Sequence, residues 1–459
     1  MRTLWAPAVL LAHGWDTDVT LVIDDDGRIA RIERDRGEAA DERLAGPVIP
    51  AMANLHSHAF QRAIAGRTGV PSANRDDTFW TWRQAMHAAV GRLDADAFEA
   101  IAAQAYVEMA KAGYAAVAEF HYVHHDPHGK PYADPAELAW RIVGAAETAG
   151  LGLTLLPVFY AHGNFGGEAT TPLQRRFVHS IYTFERLFGA LAQKADDRGY
   201  VLGVAPHSLR AVTAEELGRI VRLAPTDAPI HIHAAEQTRE VDDCYQWSRM
   251  RPVEWLLTQA NIDERWCVVH ATHMIDREVA GLAASGAVAG LAPSTEADLG
   301  DGIFRAETYL QAGGRFGVGT DSNTMIDPFA EVRLLEWSQR LRLRRRNVLV
   351  SESQEPVGKV LWRAAATGGA QALGRATGTL APGMRADLIV LDAEEPALAE
   401  QPLDSVLDAA LFGPCRRPVR DLMANGRWIV REGRHAREQD VLRRFRAALA
   451  RIDLTAAAP

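Results

Sequence analysis

The chain has 459 residues, of which 47% are hydrophobic and 24% are charged, and its formal net charge is −9. This composition is that of a globular protein with room for a large domain and a smaller one, which excludes a wholly disordered chain. The acidic balance provides no broad basic surface, so neither nucleic acid nor an anionic membrane is an expected partner.

The sequence offers few motifs for targeting or for redox chemistry. The sequence shows no secretory leader and no apolar run of about 18 residues, so a cytoplasmic protein is expected. The three cysteines, Cys244, Cys267 and Cys415, are widely spaced and form no CxxC pair. We expect reduced, structural thiols.

Both ends of the chain predict antiparallel strands. DVTLVIDDDGRIARIER, residues 18–34, alternates apolar residues around an Asp-Gly pair, and DLMANGRWIVREGR, residues 421–434, does the same around Asn-Gly. Both patterns are typical of β-hairpins. GMRADLIVLD, residues 383–392, adds a short strand. We therefore predict a small β-sandwich domain formed by residues 1–50 and 381–459 together.

The middle of the chain, residues 51–380, has a different rhythm. Short apolar runs alternate with long Ala-rich amphipathic segments such as DADAFEAIAAQAYVEMAKAG, which is the pattern of repeated βα units. Eight such runs favour an α/β fold, a (β/α)8 TIM-type barrel. The candidate strands are GPVIPAMANLH, YAAVAEFH, GLTLLPVFY, VLGVAPHS, APIHIHAAE, WCVVHATH, AVAGLAPST and RFGVGTDS.

Histidines recur where these candidate strands end. In a barrel the active site lies at the carboxyl ends of the strands, so polar residues there are interpreted first as functional. His56 and His58 are two residues apart and can point to one face of their strand. An HxH pair alone is weak evidence. The other residues at predicted strand ends are His121, His207, His231, His233, His270, His273 and Asp321.

Together these residues predict a metal site. HxxE at His233 to Glu236, a sixth-strand His270 and the aspartate of GTDS accompany the HxH pair. Imidazoles with a carboxylate suit a first-row ion such as zinc or iron and leave a position open for water.

The same motifs carry a family resemblance. HSH, HIHAAE, VVHATH and GVGTDS, in this order, resemble the amidohydrolase superfamily and in particular its deaminase branch, and APSTEADLGDGIF and GTLAPGMRADLIVLD extend the similarity over nearly the whole chain. Members with two metal ions need a lysine near the end of the fourth strand. Between His121 and His231 the only lysines are Lys130 and Lys194, and neither ends an apolar run. One divalent metal ion, zinc or alternatively iron, is therefore expected.

Within this branch the chain is most similar to the enzymes that hydrolyse N-formimino-L-glutamate to N-formyl-L-glutamate and ammonia in histidine degradation. NLHSHAFQRAIAG, DTFWTWRQAM, EFHYVHH, PHSLRAV and HIHAAEQTREVDDC carry this similarity. It implies His56, His58, His233 and Asp321 as metal ligands, and a homodimer. It implies Glu236, His270 and Asp321 as the catalytic groups, and Gln61, Arg83, Tyr122, His207 and Arg210 as substrate-binding residues.

The chemistry of the residues themselves supports part of this assignment of roles. A substrate with two carboxylates bound inside an acidic protein calls for guanidinium groups, which clamp carboxylates in pairs of hydrogen bonds. Arg210 directly follows a strand end, which favours a functional role. Arg83, among the aromatics of FWTWRQ, is equally well explained as a helix-surface residue. Likewise Glu236 could shuttle a proton or merely fix the tautomer of His233.

Two other functions remain open from the sequence. A deaminase of the same branch that acts on a nucleobase or nucleoside would keep the metal ligands but would need base-recognition residues in place of two arginines. Glu296, in the STE motif, stands near a position where several nucleobase-type relatives have asparagine. A metal-binding scaffold without catalysis is the second alternative, because a barrel fold by itself does not establish activity.

Overall fold

The computed structural model describes residues 1–34, 39–69, 77–350 and 354–452. The strands in these ranges are β1 (Arg2–Leu11), β2 (Gly14–Ile23), β3 (Ile29–Arg34), β4 (Glu42–Arg43), β5 (Val48–Pro50), β6 (Met52–Ser57), β7 (Tyr114–His121), β8 (Gly152–Phe159), β9 (Val201–Leu202), β10 (Ala205–Pro206), β11 (Ile230–Ala234), β12 (Trp266–His270), β13 (Val288–Leu291), β14 (Arg315–Val318), β15 (Leu388–Leu391), β16 (Val419–Ala424), β17 (Arg427–Arg431) and β18 (Arg434–His435).

The helices alternate with these strands through the middle of the chain. They are α1 (Phe79–Val90), α2 (Ala95–Ala112), α3 (Glu137–Ala149), α4 (Ile181–Ala192), α5 (Ala195–Arg198), α6 (Ala214–Val221), α7 (Thr238–Ser248), α8 (Pro252–Gln259), α9 (Asp276–Ser285), α10 (Pro293–Leu299), α11 (Ala306–Gln311), α12 (Pro328–Leu343), α13 (Val357–Leu373), α14 (Leu403–Phe412) and α15 (Glu438–Arg451), with 3-10 turns at Ala59–Ile64 and Pro172–Gln174.

Two parallel sheets form the centre of the molecule. One has the order β10-β8-β7-β6 with β9 beside β8, and the other has the order β11-β12-β13-β14. Parallel bridges from Val204 to Ile230 and from Ser57 to Asp321 join the two sheets at both edges. The parallel sheet is therefore curled, as in a TIM-type barrel, and each of the eight predicted runs contains at least one of its strands.

The sequence of these elements explains their burial. β7 and β8 are apolar along almost their whole length and buried at every residue, as expected for parallel strands covered on both faces. α2 begins at Asp94, whose side chain accepts the amide proton of Ala97, and ends at Gly113, whose φ of 110° is unfavourable for other residues. The N-cap and the C-terminal glycine therefore determine where α2 begins and ends.

The first predicted run, GPVIPAMANLH, is two strands in the structure. β5 pairs antiparallel with β15 from the C-terminal segment, whereas β6 pairs parallel with β7. Between them the amide of Ala51 donates to Asp387 O and that of Met52 to Gly113 O, so the chain changes sheets at this point. Apolar periodicity cannot detect the change, because both halves are buried.

Strands from the two chain ends share one nine-stranded sheet. Its order is β18-β17-β16-β15-β5-β1-β2-β3, and β4 pairs with β1. The predicted hairpins are confirmed as β2–β3 and β16–β17. Asn425 and Gly426, in the second turn, both have positive φ values, of 50° and 72°, as a tight Asn-Gly hairpin requires. A second layer that would make this sheet a sandwich is not confirmed, and the domain division at residues 50 and 381 stays a prediction.

Within the described ranges, no helix combines the length and the apolar character needed to cross a membrane.

Candidate active site

Three imidazoles converge at the carboxyl ends of β6 and β11. His56 Nε2 lies 3.2 Å from His58 Nε2 and 3.1 Å from His233 Nε2. His58 Nδ1 lies 3.1 Å from Phe120 O, and His233 Nδ1 lies 3.0 Å from His207 O. Because a carbonyl oxygen only accepts, both Nδ1 atoms carry the proton, and the Nε2 lone pairs point toward the shared centre.

Asp321 completes this group. Its Oδ1 lies 3.5 Å from His56 Nε2 and 3.3 Å from His58 Nε2. Burial lowers the pKa of all three histidines, that of His58 to about 3, so they are neutral at physiological pH. Unprotonated nitrogens and a carboxylate oxygen that face one another in a buried space fit a divalent cation with bonds of about 2.0 to 2.2 Å. These four side chains can therefore hold a metal ion.

Two buried asparagines hold the ligand-bearing strand ends together. Asn54 Oδ1 accepts from the amide of Thr320, and its Nδ2 donates to Thr320 Oγ1 at 2.7 Å. Asn323 Nδ2 donates to the main-chain oxygens of His58 and Asp321, both at 3.0 Å. The first and last strands of the barrel thus present their ligands at a fixed separation.

The backbone is strained where the functional side chains leave the strands. His270 has a φ of 68° and Asp321 a φ of 41°, in the left-handed region that favours glycine. Such a conformation costs about 1–3 kcal/mol and persists only when its surroundings fix it. Strain at two strand ends that face the same centre is a sign of function.

A second polar group lies beside the candidate metal centre. Glu236 Oε1 lies 3.6 Å from His270 Nε2, and Glu296 Oε1 lies 3.4 Å from His270 Nδ1. Burial raises the pKa of Glu236 to about 7. Burial opposes a charged His270, but Glu236 and the other nearby carboxylates outweigh it and raise the pKa of His270 above its ordinary value. A carboxyl group with a pKa of about 7 can both gain and lose a proton near neutral pH.

A cavity opens from the candidate metal centre toward the solvent. Its lining residues are His58, Gln61, Phe79, Trp82, Arg83, Met86, His87, Tyr122, Tyr160, Phe177, His207, Arg210, His233, Glu236, His270, Leu299 and Asp321. The cavity volume is about 50 Å³, and about 10–15 Å³ of such volume is enough for one water molecule. The helix α1 contributes five of the lining residues.

Two arginines face this cavity. Arg83 Nη2 donates to the hydroxyl of Tyr160 at 3.0 Å, and Arg210 is buried, with its Nε unpartnered among the described residues. Burial and, to a lesser extent, the charge of Arg210 lower the pKa of Arg83. Both guanidiniums lie within 6 Å of the ring of Trp80, as does the exposed Arg239. An anionic ligand would relieve the repulsion between these charges.

The remaining predicted residues complete the wall of the cavity. Gln61 Nε2 donates to the hydroxyl of Tyr122 at 3.0 Å, and Gln61 Oε1 has no partner among the described residues. His207 Nδ1 lies 3.1 Å from Ser208 Oγ. The structure thus brings every predicted site residue to one cavity or to the ligand group at its base.

Three strand-end histidines lie outside this group. His231 Nε2 contacts Ala372 O at 2.7 Å, and His273 Nε2 contacts Asp301 O at 2.8 Å, so both have structural partners. The ring of His121 packs 5.2 Å from that of His124, away from the metal ligands. A strand-end position alone therefore does not define a ligand.

His121 gives a testable pH effect on stability. Burial lowers its pKa to about 3, and neither ring nitrogen has a partner among the described residues. The unfolded chain binds a proton below pH 6.5 that the folded state rejects, so stability is lost as the pH falls, by about 1.4 kcal/mol per unit. Between neutral pH and pH 5, the free energy of unfolding of the wild type should therefore fall by about 2 kcal/mol more than that of His121→Leu.

Urea titrations at pH 7.5 and pH 5 measure this difference, with exposed His128→Leu as the matched control. An equal loss of stability on acidification in His121→Leu and the wild type would contradict the assignment.

Sequence reasoning missed several residues that shape the site. Asn54 and Asn323 act through contacts between strands far apart in the chain. Glu240 accepts from the amides of Ala235 and Glu236, which fixes the turn after β11. The only sequence signal for the two asparagines is their position. Asn54 lies two residues before the first histidine of HSH, and Asn323 directly follows GTDS. An amide side chain beside a ligand motif favours a role in holding the main chain of that motif in place.

A curled parallel sheet with this ligand group at its carboxyl edge defines a hydrolase of the amidohydrolase type. Residues 48–429 match the family model described as Amidohydrolase family. The chain belongs to this family.

One enzyme and two solved structures are each similar to this chain over nearly its whole length. The chain is 51% identical over 445 residues to the formimidoylglutamate deiminase of Pseudomonas aeruginosa, and the match covers 97% of this chain and 98% of the relative. A crystal structure of an amidohydrolase from Brucella melitensis superposes with a TM-score of 0.93 at 45% identity, over 98% of this chain and all of the other. An adenosine deaminase from Xanthomonas campestris with bound zinc shares the fold, with a TM-score of 0.79 at 20% identity and 98% coverage of both chains.

Proposed function

We propose that this protein is a metal-dependent deiminase that hydrolyses N-formimino-L-glutamate to N-formyl-L-glutamate and ammonia, a step in histidine degradation. The observation that carries the proposal is the presence of Arg83 and Arg210 in the same cavity as Glu236 and the ligand group. The 51% identity to the Pseudomonas aeruginosa enzyme over nearly the full chain supports the same substrate.

The charges of the substrate fit this cavity. N-formimino-L-glutamate carries two carboxylates and a cationic amidine group. In the proposal Arg83 and Arg210 bind the carboxylates, since guanidinium groups match carboxylates in charge and geometry. Gln61, Tyr122 and His207 complete the contacts to the glutamate portion.

The metal requirement follows from the ligand group. A divalent cation held by His56, His58, His233 and Asp321 supplies Lewis-acid activation of a water molecule at neutral pH. We propose a single zinc ion. Zinc is bound in the Xanthomonas campestris structure of the same fold, and the two lysines that could have bridged a second ion, Lys130 and Lys194, are both exposed.

The chain's own groups then handle the protons. Asp321 accepts a proton from the attacking water, and His270, fixed by Glu296, orients that water. Glu236 carries a proton to the departing nitrogen, a role suited to a carboxyl group with a pKa near 7. Overall, the amidinium carbon gains the oxygen of water and its bond to the terminal nitrogen breaks. That nitrogen departs as ammonium and carries the positive charge away, which leaves the neutral formyl amide.

A nucleobase or nucleoside substrate is less well supported. The two arginines would face an uncharged ring, and Glu296 is hydrogen-bonded to His270 instead of lining the cavity. The proposed small-molecule partner is therefore the dicarboxylate, and the expected homodimer stays a prediction that light scattering would check.

Arg210→Met tests the carboxylate clamp. Loss of a paired, charge-assisted contact is worth about 3 kcal/mol, so kcat/KM for N-formimino-L-glutamate should fall by about 100-fold, mainly through KM. Metal content should stay at the wild-type value, because Arg210 is not one of the candidate metal ligands. Exposed Arg239→Met, above the same Trp80 ring, is the matched control and should change kcat/KM by less than about threefold. Equal KM values for Arg210→Met and the wild type would sink the clamp assignment.

A further inference from the structure

Asp301 is a buried carboxyl group beside the proton-handling pair. It follows α10 in the loop that continues the STE motif, and its side chain is almost fully buried. One ligand atom each from Glu236, His270 and Asp301 lie within 4.8 Å of one another. Asp301 is not among the residues that line the cavity, whereas Glu236 and His270 are.

The two oxygens of Asp301 have different surroundings. Gln237 Nε2 donates a hydrogen bond to Oδ1, whereas Oδ2 is buried and has no hydrogen-bond partner within the part of the chain that the structure describes. The neighbouring His273 contacts only the main-chain oxygen of Asp301. A buried carboxylate oxygen without a partner is unfavourable, but a protonated one can serve as a donor.

The charges around Asp301 decide its protonation state. Burial and then the charge of Glu236 raise the pKa of Asp301 to about 9. The charged groups that act on this pKa are Glu236, Glu296 and Asp321, which raise it, and His270, which lowers it. The imidazole of His273 also lies close, at 2.8 Å from the main-chain oxygen of Asp301. At neutral pH Asp301 is therefore a neutral acid with a single O–H to donate.

We propose that Asp301 is a positioning residue for the deimination. Its neutral carboxyl group lies within 4.8 Å of the Glu236 carboxylate and turns Oδ2 toward it to donate a hydrogen bond. This inference rests on the proposed function. Gln237 fixes the orientation of Asp301 by occupying Oδ1. A donor on the Glu236 carboxylate holds its rotamer toward the reacting carbon and favours its ionised form, so that it can both accept and return a proton.

The proposal makes the two obvious substitutions behave differently. Asp301→Asn keeps the acceptor for Gln237 and places an N–H₂ donor where Oδ2 was, so it imitates the protonated acid. Asp301→Ala removes the donor. We expect kcat to fall by about 10- to 100-fold in Asp301→Ala, the effect of losing a hydrogen bond to a charged group, and to stay within about threefold of the wild type in Asp301→Asn.

The pH profile separates positioning from mere packing. In the wild type, kcat should decline above about pH 9 as Asp301 loses its proton, whereas in Asp301→Asn this decline should move upward by at least about one unit. The exposed Asp298 on α10 supplies the matched control, because Asp298→Ala should leave kcat and its pH profile unchanged.

The experiment measures ammonia release from N-formimino-L-glutamate by the zinc-loaded variants from pH 6 to 10.5, with metal content and thermal unfolding for each. An inactive wild type would refute the proposed function itself. An active wild type with equal losses in Asp301→Asn and Asp301→Ala, or an unchanged alkaline decline in Asp301→Asn, would overturn the role of Asp301. If Asp301→Ala does not fold, the Asp301→Asn profile alone decides.

Discussion

His233→Ala is expected to purify with less than about a tenth of an equivalent of zinc and to lose deiminase activity by more than about 1000-fold. His233 Nε2 faces His56 Nε2 at 3.1 Å, while its Nδ1 is fixed by the carbonyl of His207. Removal of one ligand from a compact buried group lowers metal affinity steeply and also removes the activation of water. Because metal binding stabilises the folded state, the variant should also unfold at a lower temperature.

Elemental analysis and ammonia release from the same preparation measure both effects. The exposed His128→Ala serves as the control and should keep one equivalent of zinc with full activity. A His233→Ala protein that retained both stoichiometric metal and activity would contradict the ligand assignment.

Glu236→Gln is expected to lower kcat by about 1000-fold without changing metal content. The amide keeps the shape of the side chain and can still donate, but it cannot accept and return a proton. General acid–base groups contribute about 100- to 10,000-fold to such reactions. Since Glu236 lies 3.6 Å from His270 and is no ligand of the metal in this account, the loss should appear in kcat while KM stays within a few-fold.

The exposed Glu264→Gln is a matched carboxylate control and should be fully active. A Glu236→Gln enzyme with wild-type kcat would leave only the alternative role for Glu236, that of a structural neighbour of His233.

The strand ends explain why so much of the site was predictable. His56 and His58 were placed on one face by their spacing alone, and their Nε2 atoms do meet at 3.2 Å. The strand before them could not be divided correctly, because the change of sheet at Ala51 depends on hydrogen bonds to Asp387 and Gly113, which are distant in sequence.

The role of Arg83, on α1, could not be decided from the sequence. A helix-surface position and a substrate contact were equally plausible from FWTWRQ, and only the packing of α1 over the barrel places Arg83 beside Arg210. Asp301 was invisible for a similar reason, since nothing in LGDG indicates that this aspartate is buried against Glu236. Local patterns determine strand ends and faces, whereas the approach of separate loops depends on the whole fold.

Ammonia release by the purified zinc-loaded protein is the most direct test of the proposed reaction. The substrates to compare are N-formimino-L-glutamate, guanine, cytosine and adenosine, with Arg210→Met assayed beside the wild type. Rapid release from N-formimino-L-glutamate alone, strongly reduced in an Arg210→Met enzyme that still holds its metal, is the predicted result. Release from a ring substrate with none from N-formimino-L-glutamate would contradict the dicarboxylate clamp and the proposed function.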